Sequence, residues 1–176
     1  MKRLVPVEAG IALGSNLGDP VRNVVRALEH LGNIPKIAVV RRSGLYRSEP
    51  WGEPNQPEFV NAVAILTTTL SSGELLECLQ AAESAAGVRD SGKWGPRTLD
   101  LDLLWYGNET SSDPKLTLPH PEMSRRTFVL MPLVEIASQW RHPVTKSTAS
   151  QMLEALELSG EATRCVRVAG TRESTP

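Results

Sequence analysis

Phe59-Val60-Asn61-Ala62-Val63-Ala64-Ile65-Leu66-Thr67-Thr68 decides the fold. Phe59, Asn61, Val63 and Ile65 alternate with Val60, Ala62, Ala64 and Leu66, which predicts one extended strand with both faces mostly buried. Just beyond it, Ser71 and Glu74 form a capping box. They open a helix whose Leu75, Leu76, Leu79, Ala82 and Ala86 make an apolar stripe ending at Gly87. Residues 98–106 then read as another strand. Towards the N-terminus, residues 37–46 form a strand and residues 7–13 a further one, ending at the turn-rich Gly14-Ser15-Asn16-Leu17-Gly18. Between those two strands, Asp19 suits an N-cap and Pro20 the first helical position. Val21, Val24, Val25, Leu28 and Leu31 then share a face, and Gly32 closes the helix.

The order strand, helix, strand, strand, helix, strand is the ferredoxin-like βαββαβ arrangement, an α+β fold with an antiparallel sheet and helices on one face. Additional C-terminal helices are predicted over residues 124–137, despite Pro132, and over residues 147–158; residues 107–119 read as a polar loop. Residues 1–159 are expected to form a single domain. Residues 160–176 carry few large apolar side chains and are read as a C-terminal tail, partly disordered.

The chain has 176 residues and 40% apolar composition, enough for one sizeable core. Lys and Arg number 19 against 20 Asp and Glu, so no general attraction to nucleic acid or anionic lipid is expected. Any anion site must be local. No apolar run approaches the roughly 20 residues of a membrane span, and Met1-Lys2-Arg3-Leu4-Val5-Pro6-Val7-Glu8 is unlike a secretion signal, which points to the cytoplasm. Cys78 and Cys165 lack metal or redox spacing and read as reduced thiols. His30 and His142 have no ligand partners at metal spacing.

Three connections are long, residues 47–58, 88–97 and 107–123, and long loops in compact domains tend to carry function. The middle one leads through Trp94-Gly95-Pro96-Arg97 into Thr98-Leu99-Asp100-Leu101-Asp102. In a strand Asp100 and Asp102 share a face while Leu99, Leu101 and Leu103 face the core. Two carboxylates roughly 7 Å apart at their Cα atoms suit magnesium held together with phosphates and water. An isolated Asp-x-Asp also fits a solvated strand face. Arg97 adds a planar fork that suits a polyphosphate, or an ion pair to one of the acids. The glycine-rich turn lacks the Gly-Lys-[Ser/Thr] ending of a nucleotide loop and reads as structural. Phe59 and Asn61, together with the Ser48-Glu49-Pro50-Trp51-Gly52 segment, offer flat apolar surface and an amide, as a planar heterocycle requires. Core packing explains Phe59 equally well. His120, between two prolines, suits either a phosphate contact or a turn cap.

Gly14-Ser15-Asn16-Leu17-Gly18, Pro57-Glu58-Phe59-Val60-Asn61, the Trp94 to Asp102 segment, and Leu118-Pro119-His120-Pro121 with Arg126-Thr127-Phe128 resemble the 6-hydroxymethyl-7,8-dihydropterin pyrophosphokinases of folate biosynthesis. The resemblance implies transfer of diphosphate from the co-substrate ATP to the pterin hydroxymethyl group, releasing AMP. It further implies that Asp100 and Asp102 bind two magnesium ions and that Arg97 and Arg89 serve catalysis. Gln80, Lys93, Trp94, Arg97, Thr117, His120 and Arg126 would bind ATP. Ser48, Glu49, Pro50, Trp51, Phe59, Asn61 and Phe128 would bind the pterin, with Phe59 and Phe128 sandwiching its ring. A monomer binding these two small molecules, and neither nucleic acid nor membrane, is expected. Between Gly87 and Trp94 the family is usually richer in arginine; here only Arg89 and Lys93 remain, and Ser48 stands where threonine is common. The alternatives are a ferredoxin-like ligand-binding module and a kinase that transfers a single phosphate.

Overall fold

The computed structural model describes residues 5–52, 54–87 and 95–169. Its central sheet is antiparallel throughout, in the order β5 (Asp100–Tyr106), β1 (Val7–Ser15), β4 (Phe59–Thr68), β3 (Tyr46–Ser48), β8 (Cys165–Arg167), with β2 (Ile37–Arg42) also paired to β4. Helices α1 (Pro20–Gly32) and α2 (Ser72–Ala86) connect the strands as the βαββαβ order requires. Asp19 accepts a hydrogen bond from the Arg22 N–H, and the Ser71–Glu74 capping box is fully formed.

The helices do not keep to one face. Val60, Ala62, Ala64 and Leu66 of β4 pack with α1, α2 and Leu99, Leu101 and Leu103. Val63 and Ile65 face the other way, where α3 (Thr127–Ala137) and α4 (Ala149–Leu158) cover them. A strand apolar on both faces needs cover on both, at roughly 1.5–3 kcal/mol for each large aliphatic side chain fully buried. The sheet is therefore the middle of three layers. On the second face Trp105, 1% exposed, lies directly over Gly10; a Cβ there would fall 2.0 Å from the ring.

Four boundaries differ from the sequence-based expectation. The strand expected over residues 37–46 is two strands, because Ser43 interrupts the ladder. Its N–H donates to the Val63 carbonyl while its hydroxyl, in place of a backbone carbonyl, accepts from the Val63 N–H. The loop over residues 107–119 contains a hairpin, β6 (Ser111–Asp113) and β7 (Leu116–Leu118), whose turn is closed by the Asp113 carboxylate accepting from the Lys115 N–H. The helix expected from Ser124 is a 3-10 turn, Met123–Arg125, followed by α3, with Arg126 extended between them (φ −111°, ψ 103°). The tail, finally, is partly ordered: β8 pairs with β3, and the Val168 N–H donates to the Leu45 carbonyl. Its alternation is too short to stand out in sequence. Among the described residues no helix is long and apolar enough to cross a membrane.

Candidate active site

Asn16 assembles the site from three separate segments. Its backbone N–H donates to the Arg97 carbonyl and its Oδ1 accepts from the Arg97 N–H, while its amide nitrogen donates to Gln56 Oε1 and the Pro57 carbonyl. Asn16 is 3% exposed, and its four bonds pin the lead-in of β5 and the lead-in of β4 to the end of β1. One job of the glycine-rich turn is thus to aim Arg97.

Arg97 then reaches forward, its Nη1 standing 2.6 Å from Asp100 Oδ1. On the same face of β5, Asp102 Oδ2 lies 2.7 Å from Arg126 Nη1 and 3.7 Å from His120 Nε2. The extended backbone at Arg126 turns this buried guanidinium inward, to 5.1 Å from the Trp51 ring centroid and 5.8 Å from that of Phe128. Arg126 Nε is buried with no hydrogen-bond partner among the described residues.

His120 is oriented by its neighbours. Its Nδ1 accepts the Glu122 N–H, so in the neutral ring the proton sits on Nε2, on the side of Asp102. Burial lowers the His120 pKa from its ordinary value near 6.5; Asp102 opposes that shift and Arg126 adds to it. His120 thus caps the turn through Nδ1, leaving Nε2 on the cavity side. Burial pushes the Cys165 thiol the other way, to a pKa of about 11, in keeping with an inert side chain.

Arg97, Asp100, Asp102, His120 and Arg126 line a cavity of about 230 Å³ together with Ser48, Glu49, Trp51, Phe59, Asn61 and Phe128. The Asn61 amide nitrogen donates to Ser48 Oγ at 2.9 Å, which fixes the amide's orientation. Gly14 forms the floor: a Cβ there would stand 3.2 Å from Asn61 Oδ1 and 3.8 Å from Phe59. Gln80 lies elsewhere, in a second hollow of about 570 Å³ with Glu83, Ser84 and Thr98, and Arg97 lines both. Pro50 lines neither. Thr117 lines neither as well; its hydroxyl donates to the Asp113 carbonyl. Arg89, Lys93 and Trp94 lie outside the described residues. Gly14 and Glu83 line these hollows without having been assigned a site role from the sequence, the first standing in a turn motif and the second on a polar helix face.

Among the described residues no group of three or more His, Cys, Asp or Glu converges on one point. Oxygen ligands from Asp100 and Asp102 alone fit a hard cation that takes the rest of its shell from phosphates and water. An acid pair flanked by two arginines, opening into an aromatic slot with an amide at its edge, suits a polyphosphate beside a flat heterocycle.

The profile of the 7,8-dihydro-6-hydroxymethylpterin-pyrophosphokinase family matches residues 10–138. A 2-amino-4-hydroxy-6-hydroxymethyldihydropteridine pyrophosphokinase of Haemophilus influenzae is 46% identical over 132 residues, 75% of this chain and 82% of the relative. One of Synechocystis sp. is 42% identical over 149 residues, 85% of this chain and 76% of the relative. The crystal structure of wild-type Plasmodium falciparum HPPK-DHPS superposes with a TM-score of 0.73 at 13% identity over 99% of this chain; the chain spans 50% of that polypeptide, and the likeness speaks for the fold alone. The chain belongs to the 7,8-dihydro-6-hydroxymethylpterin-pyrophosphokinase family. It is an enzyme of folate biosynthesis that transfers diphosphate from ATP to the hydroxymethyl group of the dihydropterin.

Proposed function

We propose that the transfer takes place over β5, with Asp100 and Asp102 holding two magnesium ions and the adjoining cavity holding the pterin. The observation that carries this reading is the shared face of the two acids, each already paired to its own arginine at the mouth of an aromatic slot. Phe59 and Phe128 stack against the ring, and Asn61, oriented by Ser48, reads its hydrogen-bonding edge. Ser48, Glu49 and Trp51 close the slot. The hydroxymethyl oxygen attacks the β-phosphorus and its proton passes to water, the bond from β-phosphorus to the oxygen of the α-phosphate breaks, and AMP leaves. When bound, magnesium neutralises phosphate charge and polarises the phosphoryl group.

Arg97 and Arg126 bind phosphate once the acids are otherwise engaged; Arg126 Nε, buried and unpartnered among the described residues, has a donor to spare. His120 donates through Nε2 without adding a charge. On this reading the nucleotide lies by the second hollow, which Gln80 lines, and Arg97, lining both hollows, comes between the nucleotide and the pterin. Alignment and charge stabilisation carry the rate of such a transfer. We assign Arg89 as a further cation of the reaction, and Lys93 and Trp94 as nucleotide contacts. The chain acts as a cytoplasmic monomer.

Incubation with Mg-ATP and 6-hydroxymethyl-7,8-dihydropterin tests the reading, with nucleotide products separated by chromatography. AMP formed in step with pterin diphosphate is the expected result. ADP would instead support a kinase moving one phosphate, and no product a binding module.

A further inference from the structure

Glu83, on α2, accepts the backbone N–H of Leu101 at 2.7 Å, and Leu101 is the residue between Asp100 and Asp102. Among the described residues β5 is the outermost strand, with β1 on one side and no strand on the other. An edge strand in an antiparallel ladder turns every second N–H away from its partner. The ladder sets Asp100 against Gly14, Leu101 against Leu13 and Asp102 against Ala12. The outward N–H of this stretch is the one Glu83 receives. Without an acceptor there, the acid-bearing segment would be held from one side only, and weakly held edge backbone opens first. A carboxylate is an acceptor-only group, and its bond to an N–H is roughly twice as strong as a neutral one.

We propose that Glu83 is a positioning residue for diphosphate transfer: its bond to Leu101 fixes the peptide between Asp100 and Asp102, and with it the relative placement of their carboxylates. The proposal rests on the reading of those acids as magnesium ligands. Glu83 also lines the second hollow with Gln80 and Arg97, so α2 ties the nucleotide side of the site to the acids.

Glu83→Ala and Glu83→Gln test it with three readouts: amide exchange in the substrate-free protein by NMR, Mg-ATP affinity by calorimetry, and kcat and KM for both substrates. In Glu83→Ala the Leu101 amide exchanges roughly tenfold faster while that of Ala64, in the middle of the sheet, is unchanged. Mg-ATP affinity falls about tenfold and kcat falls with it. Glu83→Gln restores most of both, because its amide oxygen still accepts the N–H. Unchanged Leu101 exchange in Glu83→Ala overturns the proposal, as does faster exchange with unaltered Mg-ATP affinity. A Gln variant as impaired as Ala overturns it too, since charge rather than the hydrogen bond would then matter. Failure of the metal reading registers separately, as full activity in Asp100→Ala, whereas the Leu101 exchange in Glu83→Ala reads the hydrogen bond without any ligand.

Discussion

Arg126 Nη1 stands 2.7 Å from Asp102 Oδ2, the arginine side chain being one-tenth exposed. The pair holds a carboxylate at the cavity mouth at the expense of a cation that cannot shed its charge. Asp102→Asn keeps the shape and removes the countercharge. Turnover should fall by about a thousandfold or more, because on the proposed reading a metal ligand and the partner of Arg126 are lost together. Stability should drop by only about 1–2 kcal/mol, since the Asp102 side chain is 29% exposed and solvent screens the pair. Steady-state kinetics and urea unfolding check both halves; near wild-type turnover would remove Asp102 from the metal site.

Gly14 lies in regular strand β1, yet its Cα is the floor of the slot. In Gly14→Ala the new methyl group meets Asn61 Oδ1 at 3.2 Å, and Asn61 is held from above by Ser48, so the amide must tilt. The expected outcome is an approximately tenfold higher KM for the pterin, with KM for ATP little changed and a melting temperature within about 4 °C of wild type. Equal effects on both substrates would place the strain elsewhere.

The sheet was legible because periodicity reports burial. Alternation in β4 marked two buried faces, and Leu99, Leu101 and Leu103 against Asp100 and Asp102 separated core from site. What the sequence hid were contacts without a period. Nothing local says that Arg126 breaks a helix to reach Asp102, that Asn16 holds Arg97, or that Gly14 is needed for space rather than for a turn. The second layer of helices was foreshadowed by Val63 and Ile65, whose burial requires cover on that face, yet element order alone does not say where the later helices dock. Thr117, carried by resemblance alone, sits in the β6–β7 hairpin and lines neither hollow.

His120 gives the site a pH signature. Burial depresses its folded pKa below the unfolded value near 6.5. Below that value the unfolded chain binds a proton that the folded protein resists, so the stability contributed by neutral His120 is fully present above pH 6.5 and is lost as pH falls through the folded pKa. His142, also depressed by burial and by Lys146, acts in the same sense. His120→Gln should therefore flatten part, not all, of the decline in urea midpoint between pH 7.5 and pH 5. A steeper decline in the variant would reverse the sign of the argument.

Residues 163–168 of the C-terminal segment are paired with the body of the fold. Strand β8 sets Cys165 opposite Ser48 and Arg167 opposite Tyr46; the Glu49 N–H donates to the Arg164 carbonyl and the Thr163 N–H to Thr127 Oγ1. Arg167 Nη2 lies 2.8 Å from Glu135, which also accepts from the Tyr46 hydroxyl. Ser48 and Glu49 line the cavity, so the segment braces one wall of the slot from behind. Ending the chain after Ser159 strips that brace and leaves β3 as a bare edge prone to pairing with other chains. KM for the pterin should rise several-fold with kcat and KM for ATP affected less, and stability should fall by about 1–3 kcal/mol for the lost ladder bonds and ion pair. Kinetics and thermal melts of the truncated protein decide the matter. A variant indistinguishable from the full chain in both would return residues 160–169 to the status of a passive tail.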